Sequence, residues 1–274
     1  MNRSISFLLI LSLFASCNHS DRNNTSTIDS TADNTPPAID YTVMKTLPHD
    51  TTSFTEGLLF HDGQLYESTG TDPDMPESRR SLFGTVDTAT GKIHPKVEID
   101  RNKYFGEGIA FVNGKVYQLT YKTKVGFIYD AASFKKLGEF TFPSAEGWGM
   151  TTNGVNLIMS DGTSNITYLD PNTFKVVKTL TVTDNNGPVS NVNELELVNG
   201  NIYANQWQTN YILKVDTASG KVVGRIDLES IAAENRNKFN GSEVLNGIAY
   251  NPSSGLLYVT GKLWPDIYEL RIRL

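Results

Sequence analysis

Apolar residues in this chain come in short runs, and Gly, Asp, Asn and Ser separate them. This is strand-and-turn patterning, distinct from the three-to-four-residue spacing of amphipathic helices. One unit of it recurs five times, over residues 56–66, 107–117, 147–157, 193–203 and 246–258. Each copy is an apolar strand, a tight turn closed by Gly63, Gly114, Gly154, Gly200 or Gly255, and a second strand. Asp-Gly and Asn-Gly supply the positive φ angles that such hairpin turns demand, and Ser-Gly closes the longer fifth turn. A second repeated element follows four of the hairpins, starting at Asp87, Asp130, Asp170 and Asp216. It reads as the turn joining a third strand to a fourth. A repeat of roughly 40–55 residues with four strands is the size of a propeller blade.

The pattern therefore predicts an all-β fold, a five-bladed β-propeller. The fifth unit runs out of chain after its third strand, at 267–274, so its fourth strand is expected to be 41–47 from the start of the domain. Pairing the N-terminal strand with the C-terminal blade closes the ring and hides two edges. One segment departs from the pattern: residues 228–238 read as a short surface helix that decorates the junction between two blades.

Ahead of the repeats the patterning changes twice. A basic start at Arg3, a mostly apolar run over 5–14 and the small residues Ala15 and Ser16 before Cys17 describe a secretory signal, too short to span a membrane. Cys17, the one cysteine of the chain, stands at the cut. In this the segment resembles a bacterial lipoprotein signal, with Phe14 in a place where an aliphatic residue is usual. The resemblance implies lipidation of Cys17 and a lipid-anchored protein exported to the bacterial cell envelope, facing the periplasm; secretion with a free Cys17 is the alternative. Residues 18–40 are almost devoid of apolar side chains and cannot repay the entropy of ordering, so a disordered polar tether is expected there. Residues 41–274 remain for the propeller.

Composition narrows the chemistry. Apolar residues make up 39% and charged residues 20% of 274, enough to build and solvate a core. A net charge of -6 argues against a nucleic-acid partner. A single cysteine excludes an internal disulfide, and the scattered His19, His49, His61 and His94 offer no metal-ligand spacing. No cofactor is expected.

The first strand of every propeller blade lines the central channel, so residues seven before and seven after each turn glycine are expected around the axis on one face. Before the turns stand Glu56, Glu107, Gly147 and Asn193, with Asn246 in the longer fifth copy; after them stand Gly70, Tyr121, Asp161, Trp207 and Lys262. Trp148 is one step along, and Phe54 and Phe105 lie two residues before their glutamates. Each has a bland reading taken singly: a solvated glutamate, a tryptophan packed between blades, a surface lysine beside Trp264. Yet turns and apolar positions repeat from blade to blade while these residues do not, as a site grafted on a repeated scaffold would show. Together they predict a polar-aromatic pocket.

The motifs Phe54-Thr-Glu-Gly-Leu58, Tyr66-Glu-Ser-Thr-Gly70, Phe105-Gly-Glu-Gly108, Glu146-Gly-Trp-Gly149, Ser160-Asp-Gly162, Asn193-Glu-Leu-Glu196 and Leu245-Asn-Gly-Ile-Ala249 resemble one family. It is the plant and bacterial type of glutaminyl-peptide cyclotransferase, the papaya-latex glutaminyl cyclase group, and the resemblance runs through 41–274. It implies a five-bladed propeller, unrelated to the zinc-dependent animal enzymes. It also implies a metal-independent enzyme that turns the N-terminal glutamine of peptides and proteins into pyroglutamate and releases ammonia; a closed propeller has no obvious edge to share, so a monomer is expected. The family's catalytic glutamate falls on Glu107, and its pocket residues on Phe54, Phe105, Trp148, Asn193, Trp207 and Lys262. Glu56 stands where the plant motif has glutamine and Tyr121 where it has tryptophan. The first adds a carboxylate that pushes the proton affinity of Glu107 upward; the second is expected to loosen substrate packing.

The chemistry asks for these residue types. The substrate's α-amine must lose a proton, attack its own γ-carboxamide and expel ammonia, and an aromatic cage that bends the side chain back supplies much of the gain. Glu107 is expected to accept and return the proton, while Lys262 or Asn193 steadies the tetrahedral oxygen. Two other readings use the same rim. A non-catalytic, lipid-anchored peptide-binding propeller needs the aromatics but not Glu107. A calcium-dependent hydrolase of the lactonase kind would use Glu56, Glu107 and Asn193 as ligands.

Overall fold

The computed structural model describes residues 35–71 and 79–273. The signal segment with Cys17 and most of the tether lie outside the described residues. The first strand, β1 (Tyr41–Pro48), is followed by four four-stranded units and a three-stranded one that β1 completes. Blade 1 holds β2 (Thr55–His61), β3 (Gln64–Thr69), β4 (Leu82–Val86) and β5 (Ile93–Glu98). Blade 2 holds β6 (Gly106–Val112), β7 (Lys115–Thr120), β8 (Val125–Asp130) and β9 (Lys136–Thr141). Blade 3 holds β10 (Met150–Thr152), β11 (Leu157–Ser160), β12 (Asn165–Leu169) and β13 (Val176–Thr181). A small hairpin that the repeats do not announce, β14 (Thr183–Asp184) with β15 (Gly187–Pro188), leads to blade 4. That blade holds β16 (Val192–Val198), β17 (Asn201–Gln206), β18 (Tyr211–Asp216) and β19 (Val222–Asp227). After the helix α1 (Glu229–Lys238), blade 5 holds β20 (Leu245–Asn251), β21 (Leu256–Gly261) and β22 (Asp266–Ile272), with β1 as its fourth strand.

Ring closure follows the expected pairing: β1 runs antiparallel to β22 from Tyr41 opposite Ile272 to Pro48 opposite Asp266, with one irregularity between Val43 and Lys45. The first strands pack in a cycle, β2 on β6, β6 on β10, β10 on β16, β16 on β20 and β20 on β2. Among the described residues five hydrophobic clusters fill the five blade-to-blade junctions. Blades 1 and 2 meet through Phe83, Phe111 and Tyr129, and blades 5 and 1 through Leu47, Leu58 and Ile267. The repeated aspartates act as turn caps. Asp87, Asp130, Asp170 and Asp216 each accept a backbone N–H two or three residues on, at 2.7–2.9 Å, and hydrogen bonds of this kind hold all four carboxyls below the usual range.

Two expectations need correction. The helix is more than surface decoration: Leu228, Ile231 and Ala232 are buried in the cluster between blades 4 and 5, and the Asn235 amide donates to the Tyr268 hydroxyl at 2.9 Å. The ordered chain also starts before Asp40. The Ile39 N–H donates to the Arg225 carbonyl and the Arg225 N–H to Pro37, both at 2.8 Å, and Ile39 packs on the same cluster. An apolar side chain next to an open strand edge is enough to dock that stretch.

Candidate active site

Regular pairing breaks where the candidate residues stand. In blade 1 the register shifts between Thr55 and Gly57, at Glu56; in blade 2 it shifts between Gly106 and Ile109, around Glu107. Blades 4 and 5 shift between Val192 and Leu195, and between Leu245 and Ile248, around Asn193 and Asn246. A bulge puts an extra residue on one strand and re-aims its side chains. Counting seven before and after the turn assumes an unbroken ladder; it finds the right neighbourhood without the bulge that turns these groups inward. Glycines beside the bulges let the inner strands touch. The Gly108 N–H donates to the Trp148 carbonyl at 2.9 Å, and a Cβ on Gly108 would stand 2.4 Å from the Met150 nitrogen.

One cavity of about 360 Å³ gathers all nine residues expected in the site: Glu107, Lys262 and Asn193, and Phe54, Glu56, Phe105, Tyr121, Trp148 and Trp207. Its wall is an arc of rings in edge or tilted contact. Phe54 meets Phe105 at 6.0 Å and 88°, Phe105 meets Tyr121 at 5.8 Å, Tyr121 meets Trp148 at 6.4 Å, and Trp148 meets Trp207 at 5.5 Å and 86°. Tyr121 therefore bridges its neighbours in the arc. The Trp148 indole is held by the Glu146 carboxylate at 2.9 Å. Gly70 leaves room for the Phe105 ring, since a Cβ there would fall 1.9 Å from it.

The floor is charged and buried. Glu56, Glu107, Asn193 and Lys262 are all buried. Lys262 Nζ donates to Glu56 Oε1 at 2.6 Å and stands 4.5 Å over the Phe54 ring, so it is no surface charge. Glu56 Oε2 accepts from the Asn246 amide at 3.2 Å, which places Asn246 behind the pocket wall. Both oxygens of Glu56 are thus taken by N–H donors instead of lying open to a cation. Among the described residues no group of three or more His, Cys, Asp or Glu is arranged to hold a metal ion. Burial pushes the Glu107 carboxyl well above the usual carboxylate range, and the neighbouring Glu56 charge pushes it further. Glu56 is raised by burial as well, but the Lys262 ammonium opposes the shift. The side-chain contact with Glu56 raises the proton affinity of Glu107 as well. The Asn193 side-chain oxygen is buried without a hydrogen-bond partner.

Some rim residues do other work. Asp161 turns away to accept from the Thr163 N–H at 3.0 Å, and Gly147 and Gly70 serve as space. Three lining residues were not foreseen: Gln208, Glu243 and Val244. Val244 sits two residues before Asn246, the offset that singled out Phe54 and Phe105, so the same count extended to blade 5 would have found it.

The profile of the glutamine cyclotransferase family matches residues 10–272. The chain is 36% identical over 233 residues to the glutaminyl-peptide cyclotransferase of Arabidopsis thaliana, covering 84% of this chain and 71% of the relative. The crystal structure of Myxococcus xanthus glutaminyl cyclase superposes with a TM-score of 0.77 at 32% identity, covering 87% of this chain and 98% of that one.

Proposed function

The chain belongs to the glutamine cyclotransferase family, and we propose that the aromatic pocket is where it carries out that family's reaction. It is a glutaminyl-peptide cyclotransferase: it converts the N-terminal glutamine of peptides and proteins to pyroglutamate and releases ammonia. The observation that carries the placement is the buried Glu107 carboxyl on the floor of a pocket walled by Phe105, Tyr121, Trp148 and Trp207.

Proton bookkeeping gives Glu107 its role. An α-amine has a pKa of about 7.7–8.0, so substrate arrives partly as ammonium. An ammonium facing a carboxylate and a neutral amine facing a carboxylic acid hold the same number of protons and differ by one transfer. Only the second pair reacts, because its amine has a free lone pair and its acid is loaded. The raised proton affinity of Glu107 favours that pair. As the amine nitrogen bonds to the carbonyl carbon of the γ-carboxamide, Glu107 passes its proton to the carboxamide nitrogen and takes one from the new ring nitrogen. The C–N bond to the carboxamide nitrogen then breaks, and ammonia departs.

Lys262, the one cation among the described lining residues, spends one N–H on Glu56 and keeps others for the tetrahedral oxygen. The partnerless oxygen of Asn193 suits an N–H of the substrate. The aromatic arc holds the glutamine side chain folded over its own amine, which makes the attack intramolecular in fact as well as in connectivity. In the assay, a Gln-initiated peptide is followed for ammonia and for the accompanying mass loss, with EDTA present. The wild type is expected to turn over, and Glu107→Gln to lose at least about a hundredfold in kcat while staying folded. Undiminished turnover by that variant would remove Glu107 from the mechanism.

Residues 1–17 further support export to the bacterial cell envelope as a periplasm-facing lipoprotein anchored through Cys17, the membrane being met only through that lipid. A ring that pairs its own two ends leaves no unfinished blade to share, which supports a monomer. Cys17→Ser should move the protein from the membrane to the soluble fraction, as a monomer by light scattering. A variant still in the membrane pellet would rule the anchor out.

A further inference from the structure

Most charged groups around the pocket are already answered. Lys262 is paired with Glu56 at 2.6 Å. Glu146 takes the Trp148 indole N–H and lies 3.8 Å from Lys122, which itself sits 4.5 Å over the Tyr121 ring. Glu243 is different. It lines the same cavity and its side chain is exposed, yet no ion pair among the described residues engages its carboxylate.

Its backbone, by contrast, is clamped. The Glu243 N–H donates to the Lys262 carbonyl and the Lys262 N–H to Val244, both at 2.9 Å. The Glu243 carbonyl accepts from the Trp264 indole N–H at 2.9 Å, and Trp264 is wholly buried. A free carboxylate thus hangs from a rigid support next to the residue that faces the reacting oxygen. Its charge adds to the effect of burial on Glu56, so it acts within electrostatic reach of the pocket floor.

The cavity is about 360 Å³, with the buried Glu107 in its lining. Glutamine must place its amine and its carboxamide carbon against Glu107, so the rest of the peptide leaves through the mouth, and the second residue is the first to clear the aromatic arc. Resting on the cyclotransferase reading, we propose that Glu243 is a specificity-determining residue that selects peptides carrying a basic side chain directly after the N-terminal glutamine and disfavours acidic ones. A lysine or arginine there gains a partner already held in place, and an aspartate or glutamate meets an uncompensated like charge. Lys122 is not among the residues that line the cavity, and its charge is shared with Glu146 at 3.8 Å.

The test compares kcat/KM for Gln-Lys-Ala, Gln-Ala-Ala and Gln-Glu-Ala peptide amides in the wild type, Glu243→Gln and Glu243→Lys. Each ratio is taken within one protein, so a general loss of activity in a variant cancels. The wild type should prefer Gln-Lys over Gln-Glu by about fivefold or more, the scale of a partly exposed ion pair set against a like-charge contact. The preference should shrink as salt is raised to about 0.5 M. Glu243→Gln should bring the ratio to within about twofold of unity, and Glu243→Lys should reverse it. Turnover of Gln-Ala-Ala with equal rates on the charged peptides, or a preference unchanged in both variants, would overturn the selector while leaving the cyclotransferase reading intact. No turnover of any peptide would remove both.

Discussion

Glu56, a glutamate where the plant-type motif has glutamine, stands between Lys262 and Glu107. Lys262 at 2.6 Å favours its charge, and that charge raises the proton affinity of Glu107 beside it. The consequence is a pH profile. The reactive pair needs a neutral amine and a loaded Glu107, so activity rises as the substrate amine deprotonates and falls as pH climbs through the raised pKa of Glu107. Glu56→Gln removes the like charge and leaves the Lys262 ammonium facing Glu107, and both changes lower the proton affinity of Glu107. The alkaline limb of kcat/KM should move to lower pH in this variant; an unmoved limb would assign it to another group. At this scale the sequence was legible as far as residue type and repeat offset reach. Glu107, Asn193 and the rings could be picked because each interrupts a repeated pattern. Glu243 could not, since nothing in its neighbours distinguishes an exposed acid at a pocket mouth from any other exposed acid.

At the scale of elements, hairpins and turn caps follow from local chemistry, and they appear where the Asp-Gly and Asn-Gly turns place them. The bulges do not, because a register shift is decided by the partner strand. The buried side of α1 was legible in principle: Leu228, Ile231, Ala232 and Asn235 fall at i, i+3, i+4 and i+7, one face of a helix. The seam where blade 5 meets blade 1 carries a second electrostatic element. His49, just past β1, is buried with both ring nitrogens facing acceptors, Nδ1 on the Trp264 carbonyl at 2.7 Å and Nε2 on Glu67 at 3.1 Å. The Leu263 N–H donates to the Ser53 carbonyl at 2.8 Å in the same seam. Burial by itself would lower the His49 pKa. The Glu67 charge and its hydrogen bond, the Trp264 carbonyl and Asp50 outweigh it, and the net shift is upward. A histidine raised in this way stabilises the fold fully below its unfolded pKa of about 6.5, and that contribution is lost as pH rises through the folded value. Urea unfolding should therefore show the wild type losing more stability between pH 6 and pH 9 than His49→Gln does. Equal losses would mean that the ring is neutral in the native protein.

Across the whole molecule, the axis is where the blades answer to one another. The Glu194 carboxylate, on the first strand of blade 4, accepts the Leu58 N–H of blade 1 at 3.2 Å and the Ile248 N–H of blade 5 at 2.9 Å. Burial and the charge of Glu196 raise it well above the usual carboxylate range. Such a tie is unreadable in a linear chain, where Leu58 and Glu194 are 136 residues apart. By itself the sequence determined the blade, the number of blades, the strand that closes the ring and the residue types at the rim. All of these rest on local turn chemistry and on a hydrophobic pattern that repeats. Only the closed ring decided that Lys262 of the last blade meets Glu56 of the first and that burial beside Glu56 raises the proton affinity of Glu107. It also decided that five rings from four blades form one wall. Those properties belong to groups brought together from opposite ends of the chain and buried beside one another, and burial and charge act only across the distances that folding creates.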